Sequence, residues 1–371
     1  MSSTFSDEHD QLRQLMRGFL QQKSSSRDVR ALLDADDTCD KAVWAQMAGQ
    51  LGLQGLTVPE EYGGAGFGPV ELGIVLEEMG RALLIAPYFA TVVLAGQTLI
   101  ASGDDEAKRR WLPGIANGSL TATVALAEES GSWDLEDVAA AAKPVGDGWV
   151  VSGAKLFVVD GHTAELLLVV ARVGNDIGVF AVEGNAPGVT RAKLEGLDLT
   201  RDLASVVLAE APAIRVGPAN DATAWLSAVH DVALAALAAE AIGGAARCLE
   251  LAVEYAKLRE QFDRPIGSFQ AIKHKCANLL VEIESGRSAA YHAIAAVADP
   301  GPDASIAAAL AKAYCSQAFT HAAKECIQIH GGIGYTWEHD AHLYLRRAKS
   351  SELLFGTPSR LRSRLASLVG I

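Results

Sequence analysis

The sequence predicts a mainly α-helical protein with a β-domain in the middle of the chain. Half of the 371 residues are hydrophobic but only 6% are aromatic, and this alanine-rich composition favours closely packed helices. Apolar residues recur with the helical period in the first third of the chain and again from about residue 222. Between these stretches lie short β-branched segments bounded by glycine, aspartate and asparagine, which are typical of strands and turns.

The order of these segments predicts three structural units. A chain of this length can form two or three units that share a continuous core. We expect an N-terminal helical domain over residues 1–118, a middle β-domain over residues 119–215 and a C-terminal helical bundle over residues 216–371.

Local signals predict individual elements in the first third of the chain. Ser6 precedes acidic residues and an apolar face, so we expect it to cap the first helix. The glycines at residues 63–68 lack G-x-G-x-x-G spacing and follow no β-run, so they predict a structural turn before Pro69 at helix position N1. Residues 82–103 are uncharged and long enough for a bilayer, but Pro87 and several polar positions interrupt them. We therefore expect a buried helix pair there.

Charge and cysteine content limit the partners and the compartment. Lys and Arg number 32 against 45 Asp and Glu, giving a net charge of −13. Because nucleic-acid binding depends on cations that neutralise phosphates, we expect no nucleic-acid partner, and no membrane partner either. The five cysteines suggest no paired framework and no leader precedes the first helix, so we expect a protein of the reducing cytoplasm. Cys326 is expected to be a buried, inert thiol.

Three motifs carry the strongest functional signal. The first is the turn VPEEYGGAG, followed by AKRRWLPGIANGSL. The second is REQFDRPIGSFQAIKHKCANLLVEIE at residues 259–284, and the third is QIHGGIGYTWEHDAHLYLRRAK at residues 328–349. In this order the motifs resemble the acyl-CoA dehydrogenase family over essentially the whole chain. The resemblance implies a middle β-barrel or sandwich, a C-terminal four-helix bundle, FAD, an acyl-CoA substrate that is dehydrogenated at its α and β carbons, and electron-transfer flavoprotein as the acceptor.

The second and third motifs contain groups that suit a flavin dinucleotide. A pyrophosphate is bound well by a fixed cation and neutral donors, which the guanidinium of Arg259 and the amides of Gln270 and Gln328 supply. Neighbouring glycines allow close approach of the backbone. The resemblance implies that the set reaches across a subunit interface to the FAD of the neighbouring chain. The predicted cofactor-binding residues are Arg259, Phe262, Gln270, Gln328, Gly331 and Gly332.

Other interpretations of these residues stay open at this point. Arg259 could pair with Glu254 or Glu260 on a solvated helix face, and isolated glutamines are usually surface residues. His339 and His342 are three residues apart, but no H-E-x-x-H motif or cysteine pair accompanies them. We therefore predict no metal site.

The positions at which the family carries its catalytic base hold no base here. The reaction removes an α-proton, which requires a proton acceptor. In most members a glutamate precedes a Gly-Thr pair, where this chain has Phe355; in others it lies on the long helix before the second motif, where this chain has Ala233. We therefore predict no catalytic residue. Glu240 and Glu352 are alternative bases, although a displacement of several ångströms is costly for catalysis.

The flavin-facing part of the β-domain also departs from the family. Ala127 replaces a hydroxyl donor, and Trp133 replaces a small serine. Phe157, Val158 and Val159 stand where the family has Trp-Ile-Thr, and valine cannot donate the threonine's hydrogen bond. Divergence within an active enzyme is the alternative, since a flavin ring could still stack on Phe157.

This asymmetry predicts a subunit of a heteromeric complex. Groups for the chain's own flavin and substrate are eroded, whereas groups that reach a neighbour's flavin are retained. The pattern resembles the base-lacking subunit of actinobacterial heteromeric acyl-CoA dehydrogenases, in which two related chains assemble as α2β2 and some complexes act on steroid side chains. The alternatives are a self-sufficient dehydrogenase with an unusual base and a flavin-less scaffold or acyl-CoA-binding protein.

Overall fold

The structure is a computed structural model that describes residues 6–35, 39–299, 301 and 303–371. Along the chain, helices are followed by a β-sheet and then by long helices. This arrangement confirms the predicted fold class, while the limits of the three units stay a prediction.

The N-terminal helices begin where the local sequence favours a helix start. The hydroxyl of Ser6 accepts a hydrogen bond from the backbone N–H of His9 and caps the first helix, as expected. Pro69 is the first residue of its helix, where its fixed φ angle is suitable. The helical elements of this part are α1 (Asp7–Lys23), α2 (Ser26–Ala35), α3 (Lys41–Gly49), α4 (Pro69–Arg81), a π-helical segment (Phe89–Gly96) that runs into α5 (Gln97–Ala101), and α6 (Asp105–Ala116).

The uncharged stretch at residues 82–103 lies inside the protein. Its helical part is one continuous element and not the expected pair, because Gly96 keeps a right-handed helical backbone with φ of −59° and does not interrupt it. The hydroxyl of Thr98 donates to the carbonyl of Leu94 at 2.7 Å, which satisfies this polar group internally. In the described part of the chain, one helix, Thr223–Leu258, is long and apolar enough to cross a membrane, but most of it is buried in the protein.

The β-domain, which the structure describes without gaps from residue 122 to residue 216, forms a closed barrel. The strands are β1 (Ala122–Ala125), β2 (Ala141–Val145), β3 (Gly148–Val159), β4 (Leu166–Val173), β5 (Asp176–Glu183), β6 (Val189–Leu194) and β7 (Leu203–Val216). Strand β4 pairs with β5, β5 with β7, β7 with β3, and β3 with β2. A parallel bridge between Ala141 of β2 and Arg172 of β4 closes the barrel.

The C-terminal helices pack against the N-terminal ones in a shared core. A Cβ atom on Gly80 would lie 2.1 Å from the carbonyl oxygen of Glu240, and one on Gly243 would lie 1.8 Å from that of Glu77. Only glycine therefore allows the two backbones to approach this closely. The elements of this part are α7 (Thr223–Leu258), the hairpin β8 (Glu260–Gln261) and β9 (Arg264–Pro265), α8 (Gln270–Ala298), α9 (Ala304–His330), α10 (Ala341–Leu353) and α11 (Pro358–Leu368).

Candidate active site and candidate cofactor surface

A cavity of about 920 Å³ lies between the β-barrel, the buried π-helical segment, α7 and α11. We call it the central cavity. Both Ala233 and Phe355 line this cavity. These are the two positions at which the family would carry its catalytic base. Ala233 lies on α7 and Phe355 lies in the turn between α10 and α11, so the fold brings two distant positions to one place. That place carries a methyl group and a phenyl ring, neither of which can accept a proton.

The turn that presents Phe355 is held by a buried lysine. Phe355 has a left-handed backbone with φ of 56°, and Gly356 follows with φ of 110°. The ammonium of Lys312 donates to the carbonyls of Glu352 at 3.1 Å and Gly356 at 3.2 Å, on either side of Phe355. Burial lowers the pKa of Lys312 to about 7. The turn is therefore a fixed element of the structure.

The ring of Phe355 belongs to an aromatic cluster. It is 7% exposed, and its centroid lies 4.5 Å from that of Trp133, 5.9 Å from that of His230 and 6.3 Å from that of Phe89. Aromatic pairs at these separations attract one another beyond simple burial. Phe355 and Trp133, two departures from the family pattern, are thus packed against each other.

His230 lines the central cavity but is not suited to act as a base. Nη1 of Arg364 lies 2.9 Å from its Nδ1. Because a guanidinium only donates, Nδ1 accepts and the imidazole proton resides on Nε2. Burial, followed by the charge of Arg364, lowers the pKa of His230 to about 4. At neutral pH the imidazole therefore presents an N–H to its surroundings.

Two carboxylates line the central cavity among the residues that the structure describes. They belong to Asp134 and Glu136, and both residues are exposed. The carboxylate of Asp134 forms an ion pair with Arg360. These two carboxylates lie on the exposed segment that follows Trp133.

Glu240, the first alternative base, faces away from the central cavity into a buried ion cluster. Nη2 of Arg201 donates to both carboxylate oxygens at 2.5 Å, and Nη1 of Arg347 donates to Oε1 at 2.6 Å. Glu240 is 4% exposed. Burial alone would raise the pKa of Glu240, but the two guanidiniums outweigh it and lower that pKa. Nothing within the described residues brings this carboxylate to Phe355 or Ala233.

Glu352, the second alternative base, is also occupied elsewhere. Its Oε2 accepts hydrogen bonds from the hydroxyl of Thr320 and the ammonium of Lys349, both at 2.8 Å. Burial would raise the pKa of Glu352, but these two partners lower it. Glu352 is not among the residues that line the central cavity.

The barrel residues expected near the chain's own flavin offer few side-chain donors. Ala127, Val158 and Val159 are buried in the hydrophobic cores. Phe157 is 38% exposed and has a left-handed backbone with φ of 56°. This surface therefore supplies an aromatic ring but lacks the hydroxyl groups that the family pattern would place there.

Arg259 and Phe262 are exposed at the end of α7. The alternative ion pairs of Arg259 are not formed: no ion pair of its guanidinium occurs within the described ranges, and Glu254 instead lies 3.4 Å from Arg247. Phe262 follows β8 at the tip of the hairpin, has φ of 55° and is 86% exposed. A free guanidinium and an exposed ring at one hairpin are groups that suit contact with another molecule.

The second half of the predicted set lies at the same end of the bundle. Gln328 is exposed on the last turn of α9. Gly331 has φ of 61°, and Cβ atoms on Gly331 or Gly332 would meet no described atom within 4 Å, so both backbones are accessible. The rings of Tyr255 and His330 stack at 4.4 Å and join the ends of α7 and α9. We call Arg259, Phe262, Gln270, Gln328, Gly331 and Gly332 the outward set.

The outward set fits a dinucleotide chemically. It combines an unpaired cation with exposed amides, including that of Gln270 at the start of α8, and with open glycine backbone. A pyrophosphate requires donors of this kind. The set offers only one end of such a site, because the exposed residues face out of the protein.

The pairing of His230 with Arg364 and the partners of Glu240 were not predicted from the sequence. Glu240 is a lone acid within an alanine-rich helical run, and a buried acid requires a cation. That signal predicts a partner but does not identify Arg201 or Arg347, which lie far away along the chain.

Comparison with protein families gives matches along nearly the whole chain. The N-terminal domain of acyl-CoA dehydrogenases matches residues 6–119, the middle domain residues 123–205 and the C-terminal domain residues 231–369.

Individual proteins are similar over the full length. Acyl-CoA dehydrogenase IpdE2 of Mycolicibacterium smegmatis is 34% identical over 98% of this chain and 99% of its own. A structure of a variant of the Tcur3481-Tcur3483 steroid ACAD is 34% identical, with a TM-score of 0.90 and 98% of both chains covered. The ChsE4-ChsE5 complex from Mycobacterium tuberculosis is 29% identical, with a TM-score of 0.91 over 100% of this chain and 99% of that chain.

Proposed function

The chain belongs to the acyl-CoA dehydrogenase family of FAD-dependent oxidoreductases, and on this premise we propose that it is the base-lacking subunit of a heteromeric complex. A related subunit carries the base and most of the FAD site, and the two chains assemble as α2β2. The complex dehydrogenates an acyl-CoA thioester at its α and β carbons. The observation that carries this proposal is that Ala233 and Phe355 line the same cavity.

The two base positions in the central cavity support the absence of the family's base from this chain. A general base must come within hydrogen-bond reach of the proton that it removes. Glu240 and Glu352 are bound to other groups outside this cavity, and His230 presents a proton and not a lone pair. The self-sufficient dehydrogenase with an unusual base therefore finds no support in either glutamate.

The outward set supports a role in the FAD site of a partner. Arg259 and Gln328 are exposed at one end of the bundle, and the backbones of Gly331 and Gly332 are open. Exposed, unpaired donors gain most when a second molecule supplies the acceptor. The exposed ring of Phe262 adds apolar area of the kind found at subunit contacts.

The similar proteins support both the partnership and the substrate class. Two similar structures are described as pairs of chains, Tcur3481-Tcur3483 and ChsE4-ChsE5, and the first is described as a steroid ACAD. We extend this to a related second subunit and to a fatty or steroid side-chain acyl group on the CoA thioester. Electron-transfer flavoprotein is the proposed acceptor, and the cytoplasm is the proposed compartment.

Flavin content of the chain, alone and with a partner, tests the proposal. The chain is purified alone and co-expressed with a related acyl-CoA dehydrogenase subunit, and bound flavin is measured by absorbance after release. We expect little flavin and no turnover from the chain alone, and about one FAD per heterodimer with turnover from the pair. Full flavin occupancy and turnover by the chain alone would contradict the proposal. A complex without flavin would instead favour the scaffold.

Substitutions in the outward set sharpen this test. R259A and Q328A in this chain, with an unaltered partner, should lower the flavin content of the complex without dissociating it. R109A is the matched control, because Arg109 is an exposed arginine on α6, outside the second and third motifs that hold the outward set. Equal flavin content in R259A and R109A complexes would remove Arg259 from the FAD site.

A further inference from the structure

A second cavity, of about 300 Å³, lies between α1, α2, α4, α7 and α10. Among the described residues, it shares no lining residue with the central cavity or with the outward set. Its volume is at the lower end of the range of roughly 300–1,000 Å³ that is common for small-molecule sites. The guanidiniums of Arg17, Arg81 and Arg247 line it, and we call it the arginine cavity.

The carboxylates on the wall of the arginine cavity already have partners. Nε and Nη2 of Arg17 donate to the two oxygens of Glu78 at 2.9 and 2.7 Å. The other carboxylate among the described lining residues belongs to Asp340, whose Oδ1 accepts from Nε and Nη2 of Arg30 at 2.9 and 2.6 Å. Each of these carboxylates is therefore neutralised by its own arginine.

The two remaining arginines share one carboxylate. Nη2 of Arg81 and Nη1 of Arg247 both donate to Oε2 of Glu250, the second at 3.1 Å. Burial would raise the pKa of Glu250, but the two guanidiniums outweigh it and lower that pKa, so this carboxylate is charged. Glu254 also lies 3.4 Å from Arg247, but its side chain is 61% exposed and solvent screens the pair. Two cations thus face little more than one full negative charge.

Both of these arginines keep N–H groups that no described residue uses. Arg81 donates through Nη2 and Arg247 through Nη1, so Nε and one further nitrogen of each guanidinium have no acceptor within the described residues. These nitrogen atoms are not sealed from solvent. Because a guanidinium carries five N–H donors, each can hold an acceptor in the cavity while it keeps Glu250.

The N-terminus of α2 adds further donors to the wall. This helix begins at Ser26, which lines the cavity. The acid in its first turn, Asp28, does not line the cavity, and its Oδ2 accepts from the N–H and the hydroxyl of Ser25 at 3.0 and 2.6 Å. The first N–H groups of a helix lack partners inside the helix and attract an anion.

Donors from three elements favour a phosphate group over a carboxylate. A phosphate monoester presents three acceptor oxygens, whereas a carboxylate presents two, and α2, α4 and α7 each contribute donors. Water occupies about 30 Å³ per molecule in the liquid, so a phosphate group of a few such volumes leaves part of the cavity empty. Leu20, Leu251 and Leu343 on the wall suit a compact organic body.

We propose that the arginine cavity binds the phosphate group of a small phosphate monoester, held by Arg81, Arg247 and the N-terminus of α2. Inorganic phosphate presents the same chemistry and is the alternative source of the group. This site goes beyond the proposed function, because neither FAD, nor a partner, nor the central cavity takes part in it.

Three small anions test the class of ligand. The probes are phenyl phosphate, inorganic phosphate and benzoate, and their dissociation constants for the full chain are measured by isothermal titration calorimetry at pH 7.5 and constant ionic strength. We expect phenyl phosphate to bind about tenfold more tightly than benzoate, as one additional charge-assisted hydrogen bond would give. Of the two phosphates, the one that binds more tightly identifies the source, an ester or the free ion.

Substitutions with opposite expected effects assign the site. R247A removes one cation and should weaken phenyl phosphate about tenfold, whereas E250Q removes the shared carboxylate and should tighten its binding several-fold. R109A, at an exposed arginine of α6, is the matched control and should change nothing. R259A should also leave the affinity unchanged, which separates this cavity from the outward set. Circular dichroism verifies that each variant is folded.

The outcomes decide the proposal without reference to flavin. No binding of either phosphate, benzoate binding as tightly as phenyl phosphate, unchanged affinity in R247A, no tightening in E250Q, or an equal loss in R259A would each overturn it. If R247A does not fold, S26D, which places a carboxylate at the exposed start of α2, is measured instead and should weaken phenyl phosphate; unchanged affinity in S26D would then overturn the proposal. Because the chain is measured without FAD or a partner, failure here is distinguishable from failure of the flavin-content experiment.

Discussion

Replacing Glu240 by glutamine separates a structural role of this carboxylate from a catalytic one. The substitution E240Q keeps the size of the side chain but removes its charge. Arg201 and Arg347, both nearly inaccessible to solvent, then lose the carboxylate that they share. Among the described residues, Arg347 keeps Asp198 at 3.1 Å, whereas Arg201 keeps one hydrogen bond, to the neutral hydroxyl of Ser351 at 3.2 Å.

The expected loss of stability in E240Q follows from the burial of the ion cluster. Removing one partner of a buried ion pair costs about 3–5 kcal/mol, because it leaves an uncompensated charge. Glutamine retains one oxygen acceptor, but it binds one guanidinium less strongly than a carboxylate binds two. We therefore expect the free energy of unfolding of E240Q to be about 3–5 kcal/mol below that of the unaltered chain.

The assay is guanidinium chloride unfolding followed by circular dichroism at pH 7. E352Q is the control, because Glu352 pairs with the partly exposed Lys349, and such pairs contribute roughly 0–1 kcal/mol. In the complex with a partner, reduction of flavin by acyl-CoA is measured as well, and folded E240Q and E352Q should both support it. Unchanged stability of E240Q, or folded E240Q complexes that fail to reduce flavin, would refute the structural role.

Three pH-dependent predictions concern other buried groups. F355E places a carboxylate beside Trp133, where burial raises the pKa of the new glutamate. The variant should therefore lose several kcal/mol of stability at about pH 8 and less near pH 5. A loss of stability that does not change with pH in chemical unfolding would contradict this. Burial raises the pKa of Asp160 to about 7, although the charge of Arg201 acts to lower it. Between about pH 4 and pH 7 the native chain therefore keeps a proton on Asp160 that the unfolded chain has released. D160N should therefore melt higher than the unaltered chain at about pH 8 and closer to it near pH 4. Lys312, with its lowered pKa, loses its proton in the native chain from about pH 7, whereas the unfolded chain keeps it to about pH 10. Relative to K312M, the unaltered chain should gain stability over that interval, and a constant difference in unfolding free energy would show that Lys312 does not titrate there.

Local patterns were sufficient for the order of the elements. The segment GWVVSGAKLFVVDG predicts a strand and contains β3 (Gly148–Val159), and the return of helical periodicity at about residue 222 coincides with α7 (Thr223–Leu258). Ser6 and Pro69 mark helix starts because capping and φ preferences act within one turn. The β6 strand (Val189–Leu194) was not predicted, since none of its residues is buried and the segment has few β-branched residues.

The candidate site was predictable only in part. Matching the sequence to the family's motifs placed Phe355 and Ala233 at the positions of the base, and the fold brings both to one cavity. The clusters of Glu240 with Arg201 and of His230 with Arg364 were not predictable, because each joins residues more than thirty positions apart. Such pairs depend on tertiary packing, for which a single sequence gives no direct signal.

The left-handed turn at Phe355 bears on how a catalytic chain and a non-catalytic chain can arise from one ancestor. A left-handed backbone costs any residue with a side chain about 1–2 kcal/mol, whether that side chain is an acid or an aromatic ring. The main chain, held by Lys312, already follows the required path. After gene duplication, one copy can therefore replace a reactive side chain at this position by an inert one while the backbone of the turn stays the same. A catalytic and a non-catalytic subunit then differ here in a side chain and not in main-chain structure.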